Sequence, residues 1–188
     1  MWRRQHNSAE FTAFFTRLDA ALTTPCTIVV IGGAAVALRY KPTHATSDID
    51  LWSVSDNTFW NAVPLANAGA EVPIPVEKVG IAEPPYSFEE RLTPLDLPSL
   101  LRLTVLVPEA HDLALMKIAR AEAHDLDAIA DIHAVSPLDL ETLIERWSDT
   151  RTQIIGSKEQ HRLNFLAAIA LLFGAETARE ADLRTANL

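Results

Sequence analysis

The sequence predicts an α/β (α+β) fold, a small mixed sheet flanked by helices and followed by a helical C-terminal part. Three observations predict it. Short apolar, strand-like stretches are confined to the chain before residue 108, helical patterns stand before and between them, and the last third carries only helical periodicity. Residues 1–135 are therefore expected to form the sheet-bearing domain, and 136–188 a helical extension packed on it. No repeats or low-complexity segments interrupt this plan.

From the N-terminus, Phe11, Phe14, Phe15, Leu18 and Leu22 recur at helical spacing, which predicts an amphipathic helix over Ser8–Thr23 with Ser8 as its cap. Thr27–Ile31 reads as a buried strand, and Gly32-Gly33 opens a short helix through Tyr40. A second strand begins at Asp48-Ile49-Asp50-Leu51. Asp56–Ala68 reads as a helix interrupted at Pro64, and Val72–Val76 and Val79–Ile81 as short, proline-flanked strands near a sheet edge. Pro84-Pro85-Tyr86 is a loop. Arg91–Leu95 and Leu101–Val107 read as further strands, the second ended by Pro108.

Helices are expected over Glu109–Ala121 and Asp125–Ala134. Ser136-Pro137 reads as the next helix start, with Ser as cap, Pro at the first position and Asp139 in the first turn. Leu140, Leu143, Ile144 and Trp147 form its apolar stripe. The segment Lys158–Phe173 repeats the theme with Leu163, Leu166, Ile169, Ala170 and Phe173, and Gly174 is its stop. The last dozen residues, rich in Ala, Glu and Arg, are expected to fray.

With 188 residues, 48% of them hydrophobic and 22% charged, the chain is long enough to bury a full core. One cysteine, Cys26, rules out an intramolecular disulfide and suits a reducing cytoplasm. The start Met1-Trp2-Arg3-Arg4 leads into no apolar signal segment, and the most apolar stretch, near Phe165–Phe173, is too short to span a membrane. The net charge of −9 argues against tight non-specific nucleic-acid binding. Basic residues gather only at Arg3-Arg4 and, dispersed, around Arg146, Arg151, Lys158 and Arg162, where a local patch could receive an RNA end. His111, His124 and His133 lack His-x-x-x-His spacing, so zinc is not expected.

The chemistry concentrates in Ile28–Val54. Residues two apart on a strand stand about 6.5 to 7 Å apart and point to one face, so Asp48 and Asp50 repel each other unless a cation lies between them. Magnesium suits such a pair, because one or two carboxylates suffice when water and phosphate oxygens complete its shell. Ile49 and Leu51 would face a core. At Gly32-Gly33 no Cβ blocks a phosphate from the first amides of the following helix. Gly-Gly alone marks an ordinary turn; its weight comes from the carboxylate pair that follows.

Gly32-Gly33, the intervening helix and Ser47-Asp48-Ile49-Asp50-Leu51 resemble the first motif of the nucleotidyltransferase superfamily: Gly-Gly or Gly-Ser, a spacer, then Asp-x-Asp. Asp112-Leu113-Ala114-Leu115-Met116-Lys117 and His124-Asp125-Leu126-Asp127 resemble the later Lys and Asp motifs of bacterial abortive-infection and toxin-antitoxin proteins of nucleotidyltransferase type. The resemblance covers roughly residues 25 to 135. It implies a minimal polymerase-like palm that moves a nucleoside monophosphate from a nucleoside triphosphate to a hydroxyl acceptor, with Mg2+ or Mn2+ as cofactor.

By the same resemblance Asp48 and Asp50 are metal ligands, and Gly32, Gly33 and Ser47 hold the nucleotide's phosphates. Lys117 neutralises a phosphate and Asp125 matches the later acid. Expected partners are a nucleoside triphosphate, a tRNA or protein acceptor and a cognate antitoxin protein. Many members carry a third metal-binding carboxylate on a neighbouring strand. Glu77, Asp96 and Glu109 are the candidates by position: Asp96 falls between prolines in a loop, Glu77 follows a Pro-rich strand edge, and Glu109 is expected to cap a helix.

The residues also admit plainer readings. Without the upstream glycines, Asp48 would close a turn after Thr46-Ser47 and Asp50 would be an edge residue. Lys117 reads equally well as a lysine snorkelling from an apolar helix face, and a solvated face accounts for at least two of Asp125, Asp127 and Asp131. The rival to the enzyme is a nucleotidyltransferase-like binding or regulatory protein that has lost catalysis.

Overall fold

The computed structural model describes residues 4–80, 83–151, 153, 154 and 156–185. Arg3 of the expected Arg3-Arg4 cluster and Ile81 of the expected edge strand lie outside them. The chain divides into two compact units, Met1–Gly80 with Leu92–Pro108, and Ile81–Arg91 with Glu109–Leu188.

Unit one contains the whole sheet. Helix α1 (Ser8–Ala21) buries Phe11, Phe14, Phe15 and Leu18, as their spacing predicts. Its cap, however, is Asn7, not Ser8. Asn7 Oδ1 accepts the Ala9 and Glu10 amides at 3.0 and 3.2 Å, and Glu10 Oε2 accepts the Asn7 amide at 3.0 Å. This reciprocal box satisfies more orphan donors than a serine one position later. Strand β1 (Cys26–Ile31) runs into α2 (Gly32–Arg39), and β2 (Ile49–Val54) returns antiparallel beside β1.

Between Leu51 and Ser53 the β1–β2 register slips by one residue, a bulge at Trp52. Helix α3 (Phe59–Asn67) continues through Pro64, where an interruption was expected. Burial of Phe59, Ala62 and Ala66 in the layer shared with α1 offsets the lost hydrogen bond. The two proline-flanked strands expected next reduce to one, β3 (Val76–Lys78). Pro73 and Pro75 have no N–H for a ladder, and the side chain of Asn67 instead clamps both backbone groups of Ile74 at 2.9 Å.

Strand β4 covers only Thr93–Pro94, and β5 spans Leu103–Val107. The resulting five-stranded mixed sheet has the order β3-β2-β1-β5-β4. The entry to β5 is pinned by Asp19 of α1, whose Oδ1 accepts the amides of Leu101, Arg102 and Leu103 at 3.0, 2.6 and 2.7 Å. Burial alone would raise the Asp19 pKa, but these amides more than offset it and hold the carboxyl below its ordinary value. Asp19→Ala strips the carboxylate from three backbone donors, and we expect it to cost about 2–3 kcal/mol in urea unfolding. An unshifted midpoint would contradict that anchoring role.

Unit two is helical. A 3-10 turn over Phe88–Arg91 precedes α4 (Ala110–Ile118), α5 (Ala123–Val135), α6 (Leu140–Thr150), α7 (Lys158–Phe173) and α8 (Ala175–Thr185). The expected strand start at Arg91 is absent because its guanidinium is drawn to Asp112, with Nε and Nη2 at 2.8 and 3.0 Å. Glu109 caps α4 as expected, its Oε2 accepting the His111 amide at 3.1 Å. For α6 the cap is Asp139, which accepts the Thr142 amide at 2.8 Å, while Ser136 instead ends α5.

The inner face of α7 is carried by His161, Phe165, Ala168 and Ile169; Leu163 is exposed, so the expected stripe is rotated. That face meets Trp147, whose ring stacks on Phe165 at 4.7 Å. Gly174, at φ +94°, stops α7. The stretch expected to fray forms α8 instead, which buries Ala178, Ala181 and Thr185 in its packing with α7. Residues 186–188 of that tail lie outside the described residues. Among the described residues no helix is long and apolar enough to cross a membrane.

Candidate active site

The site candidates of unit one meet where β1 ends and β2 begins. β1 ends at Ile31, which pairs with Asp50 across the antiparallel ladder. Ile49 and Leu51 are fully buried, while Asp48 and Asp50 are half-buried. The alternation read from the sequence therefore holds, and both carboxylates stand off the core face.

The glycines are there because the carboxylate strand comes so close. Gly32 has φ +68°, a left-handed conformation that disfavours any side chain, and a Cβ there would lie 2.7 Å from Asp50 Oδ2. At Gly33 a Cβ would lie 2.8 Å from Thr46 Oγ1. That hydroxyl also donates to Asp48 Oδ1 at 3.4 Å, and Ser47 Oγ donates to Asp48 Oδ2 at 3.0 Å. Thr46, Ser47, Asp48 and Asp50 thus cluster against the start of α2. Ile31, at the cap position of that helix, has no side-chain acceptor and so does not itself cap the first amides. Partial positive charge gathers at such an end.

Of the three third-carboxylate candidates, Asp96 lies in a loop and Glu109 caps α4. Glu77 sits on β3, in parallel register with Asp50. It is exposed, and residues in register on adjacent strands share a face. Among the described residues no three His, Cys, Asp or Glu side chains already converge as a metal-ligating group. Two hard carboxylates one residue apart still suit magnesium, whose remaining ligands would be water and phosphate oxygens.

Lys117 and Asp125 are brought together in unit two. Asp125 is completely buried on α5 and Lys117 almost so on α4, with Lys117 Nζ 3.0 Å from Asp125 Oδ1. Arg120 adds a two-pronged contact, Nε to Oδ2 at 2.7 Å and Nη2 to Oδ1 at 2.9 Å. Burial would raise the Asp125 pKa, yet Arg120 and Lys117 hold it down at about 2. Asp127 is exposed and Asp131 half-buried, as a solvated face requires. A second buried carboxylate, Asp112, is bound by Arg91 and by Arg146, the latter at 3.0 Å. Arg146 also meets Glu109 at 2.6 Å.

Sequence reasoning missed Thr46, whose hydroxyl links Gly33 to Asp48, and His6, a buried residue in a two-way backbone bridge with Thr46. Thr46-Ser47 directly precedes the carboxylate motif and was a readable signal. His6 left none, because its partner lies forty positions away in the chain.

Gly32→Ala tests the close approach. The positive φ alone should cost about 1–2 kcal/mol, and the new methyl group must push the Asp50 carboxylate aside. We expect a lower melting temperature together with loss of any magnesium-dependent stabilisation by triphosphates. A variant that melts and responds like the wild type would mean that the glycine is not needed for this geometry.

No curated protein and no solved structure matches the chain. Residues 10–173 match the sequence model of a family described as a nucleotidyltransferase of unknown function. That span holds every strand of the sheet, the glycine pair, both strand carboxylates and the Lys117–Asp125 pair, and on it the chain belongs to this nucleotidyltransferase family, DUF6036.

Proposed function

We propose that this chain is a metal-dependent nucleotidyltransferase that moves a nucleoside monophosphate from a nucleoside triphosphate to a hydroxyl acceptor. One observation carries the reading: the Asp48–Asp50 pair is packed against a glycine-opened helix start, with Asp50 Oδ2 only 2.7 Å from where a Cβ of Gly32 would stand. Negative charge beside a helix N-terminus is favourable, and a triphosphate brought there by a metal ion would be stabilised in the same way.

Asp48 and Asp50 would hold magnesium or manganese, and Glu77, in register with Asp50, is the third carboxylate we assign to the site. When bound, the ion would neutralise the triphosphate and favour the acceptor's oxyanion. The backbone N–H groups after Gly32 and Gly33 would donate to phosphate oxygens. Ser47 and Thr46 orient the Asp48 carboxylate through their hydroxyls. In the reaction the acceptor oxygen bonds to the α-phosphorus, the α–β anhydride bond breaks, pyrophosphate leaves, and the hydroxyl proton passes to water or a carboxylate.

The test is incubation with each α-labelled triphosphate, magnesium or manganese and total cellular RNA, beside Asp48→Ala. Labelled RNA and labelled protein are resolved on one gel. Transfer that depends on metal and on Asp48, and is absent with γ-labelled triphosphate, is the expected result. Label on tRNA or on protein would fit a toxin held by a cognate antitoxin; label on neither, with a small product, would give a small-molecule acceptor. No transfer from any triphosphate by folded protein would replace the enzyme with a binding or regulatory module.

A further inference from the structure

Unit two contains a cavity of about 590 Å³ at the end of α6, the start of α7 and the end of α8. This is within the size range of sites that hold small organic ligands. One wall is Trp147, a rigid surface: its ring stacks on Phe165 and on His161, and its Nε1 donates to His161 Nδ1 at 2.9 Å.

The charges lining this cavity differ in how they are paired. Arg162 is neutralised twice, by Glu159 at 2.9 Å and by Asp182. Arg151 and Lys158 differ, because neither forms an ion pair with a carboxylate among the described residues. Among the described residues, the guanidinium of Arg151 donates to the Thr185 carbonyl, at 3.5 Å. Two cations without carboxylate partners in one concave site favour an anion there. Glu159 and Asp182, which also line the cavity, are already engaged by Arg162.

We propose that this cavity binds a nucleotide-sized phosphate ester, its phosphate against Arg151 and Lys158. The phosphate takes the charge-assisted hydrogen bonds that the two cations have available. The ester is either a free nucleoside monophosphate or the 5′-terminal nucleotide of an RNA. This inference does not rest on the transfer reaction, since it uses no residue of the Asp48–Asp50 site.

The test uses full-length protein in EDTA, which removes metal-dependent binding at the aspartate pair. Calorimetric titrations compare the four nucleoside 5′-monophosphates, the matching nucleosides, inorganic phosphate, and short RNA oligomers with a 5′-phosphate or a 5′-hydroxyl. Saturable binding of a phosphate ester is expected, weakened by salt and at least about ten-fold weaker in Arg151→Ala/Lys158→Ala. Asp50→Asn should leave it unchanged. Tighter binding of the free monophosphate identifies a small-molecule ligand, and tighter binding of the 5′-phosphorylated oligomer an RNA end.

Lys158→Glu, at an exposed position, supplies the same comparison if the double variant melts early. The proposal is overturned if none of these ligands saturates the protein at millimolar concentration. It is equally overturned if the variants bind as the wild type does, or if inorganic phosphate binds as tightly as the nucleotides.

Discussion

Asp50→Asn is expected to lower nucleotidyl transfer by on the order of 10³-fold while leaving the melting temperature nearly unchanged. The loss follows from the proposed ligand role. Asparagine keeps the shape and the fit beside Gly32 but removes the charge that a divalent ion needs. The melting temperature should hold because asparagine nearly matches aspartate in volume at this half-buried position. A purely structural Asp50 predicts a lower melting temperature instead. Two measurements on one variant, α-label transfer and a thermal melt with and without magnesium, therefore separate the two roles. Full activity in Asp50→Asn would remove Asp50 from the metal site.

Lys117→Ala and Asp125→Asn are each expected to destabilise the protein by about 3–5 kcal/mol, the cost of leaving one member of a buried ion pair without its partner. Asp125 has no exposed surface and Lys117 has 6%. After Lys117→Ala, Arg120 still holds Asp125 from the exposed side, so that loss should fall at the lower end of the range. Urea unfolding with tryptophan fluorescence reads both. A Lys117→Ala protein that melts like the wild type yet fails in transfer would return Lys117 to the phosphate-neutralising role its motif implies.

The same carboxylates make stability fall in acid. Asp125 and Glu109 are each held down at about 2, below their ordinary values near 4. For Glu109, burial pushes up while His111 and Arg146 more than offset it. A pKa lowered in the folded state means that the unfolded chain takes up protons first as pH falls. The stabilisation from both groups is therefore complete above the ordinary carboxylate range and is lost between about pH 4.5 and pH 2. Melting temperature against pH should be flat near neutrality with respect to these groups and drop through that window, less steeply in Asp125→Asn.

Much of this molecule could be read from local pattern. The phenylalanines of α1, the β1–glycine–α2 turn, and Ile49 and Leu51 facing inward around the two aspartates all follow from periods of 3.6 and 2.0 together with the freedom of glycine. Where local reading failed, two competing local signals were present and packing or capping chose between them. Asn7 prevailed over Ser8, and Asp139 over Ser136, because a side-chain acceptor was placed to reach the helix amides. The stripe of α7 rotated onto His161, Phe165 and Ala168 because Trp147 lies on that side.

The sequence by itself determined the chemistry available: two carboxylates one residue apart after a glycine-opened helix, in a chain whose strands precede its helices. Only the tertiary structure decided which other groups join them. It set Thr46 against Gly33, placed Glu77 in register with Asp50, and paired Lys117 with Asp125. It also gathered Arg151, Lys158 and Arg162 around one cavity. The reason is physical: side-chain periodicity is a property of neighbours along the chain, whereas strand register, ion pairing and cavity lining join residues tens of positions apart, and no local pattern encodes those distances.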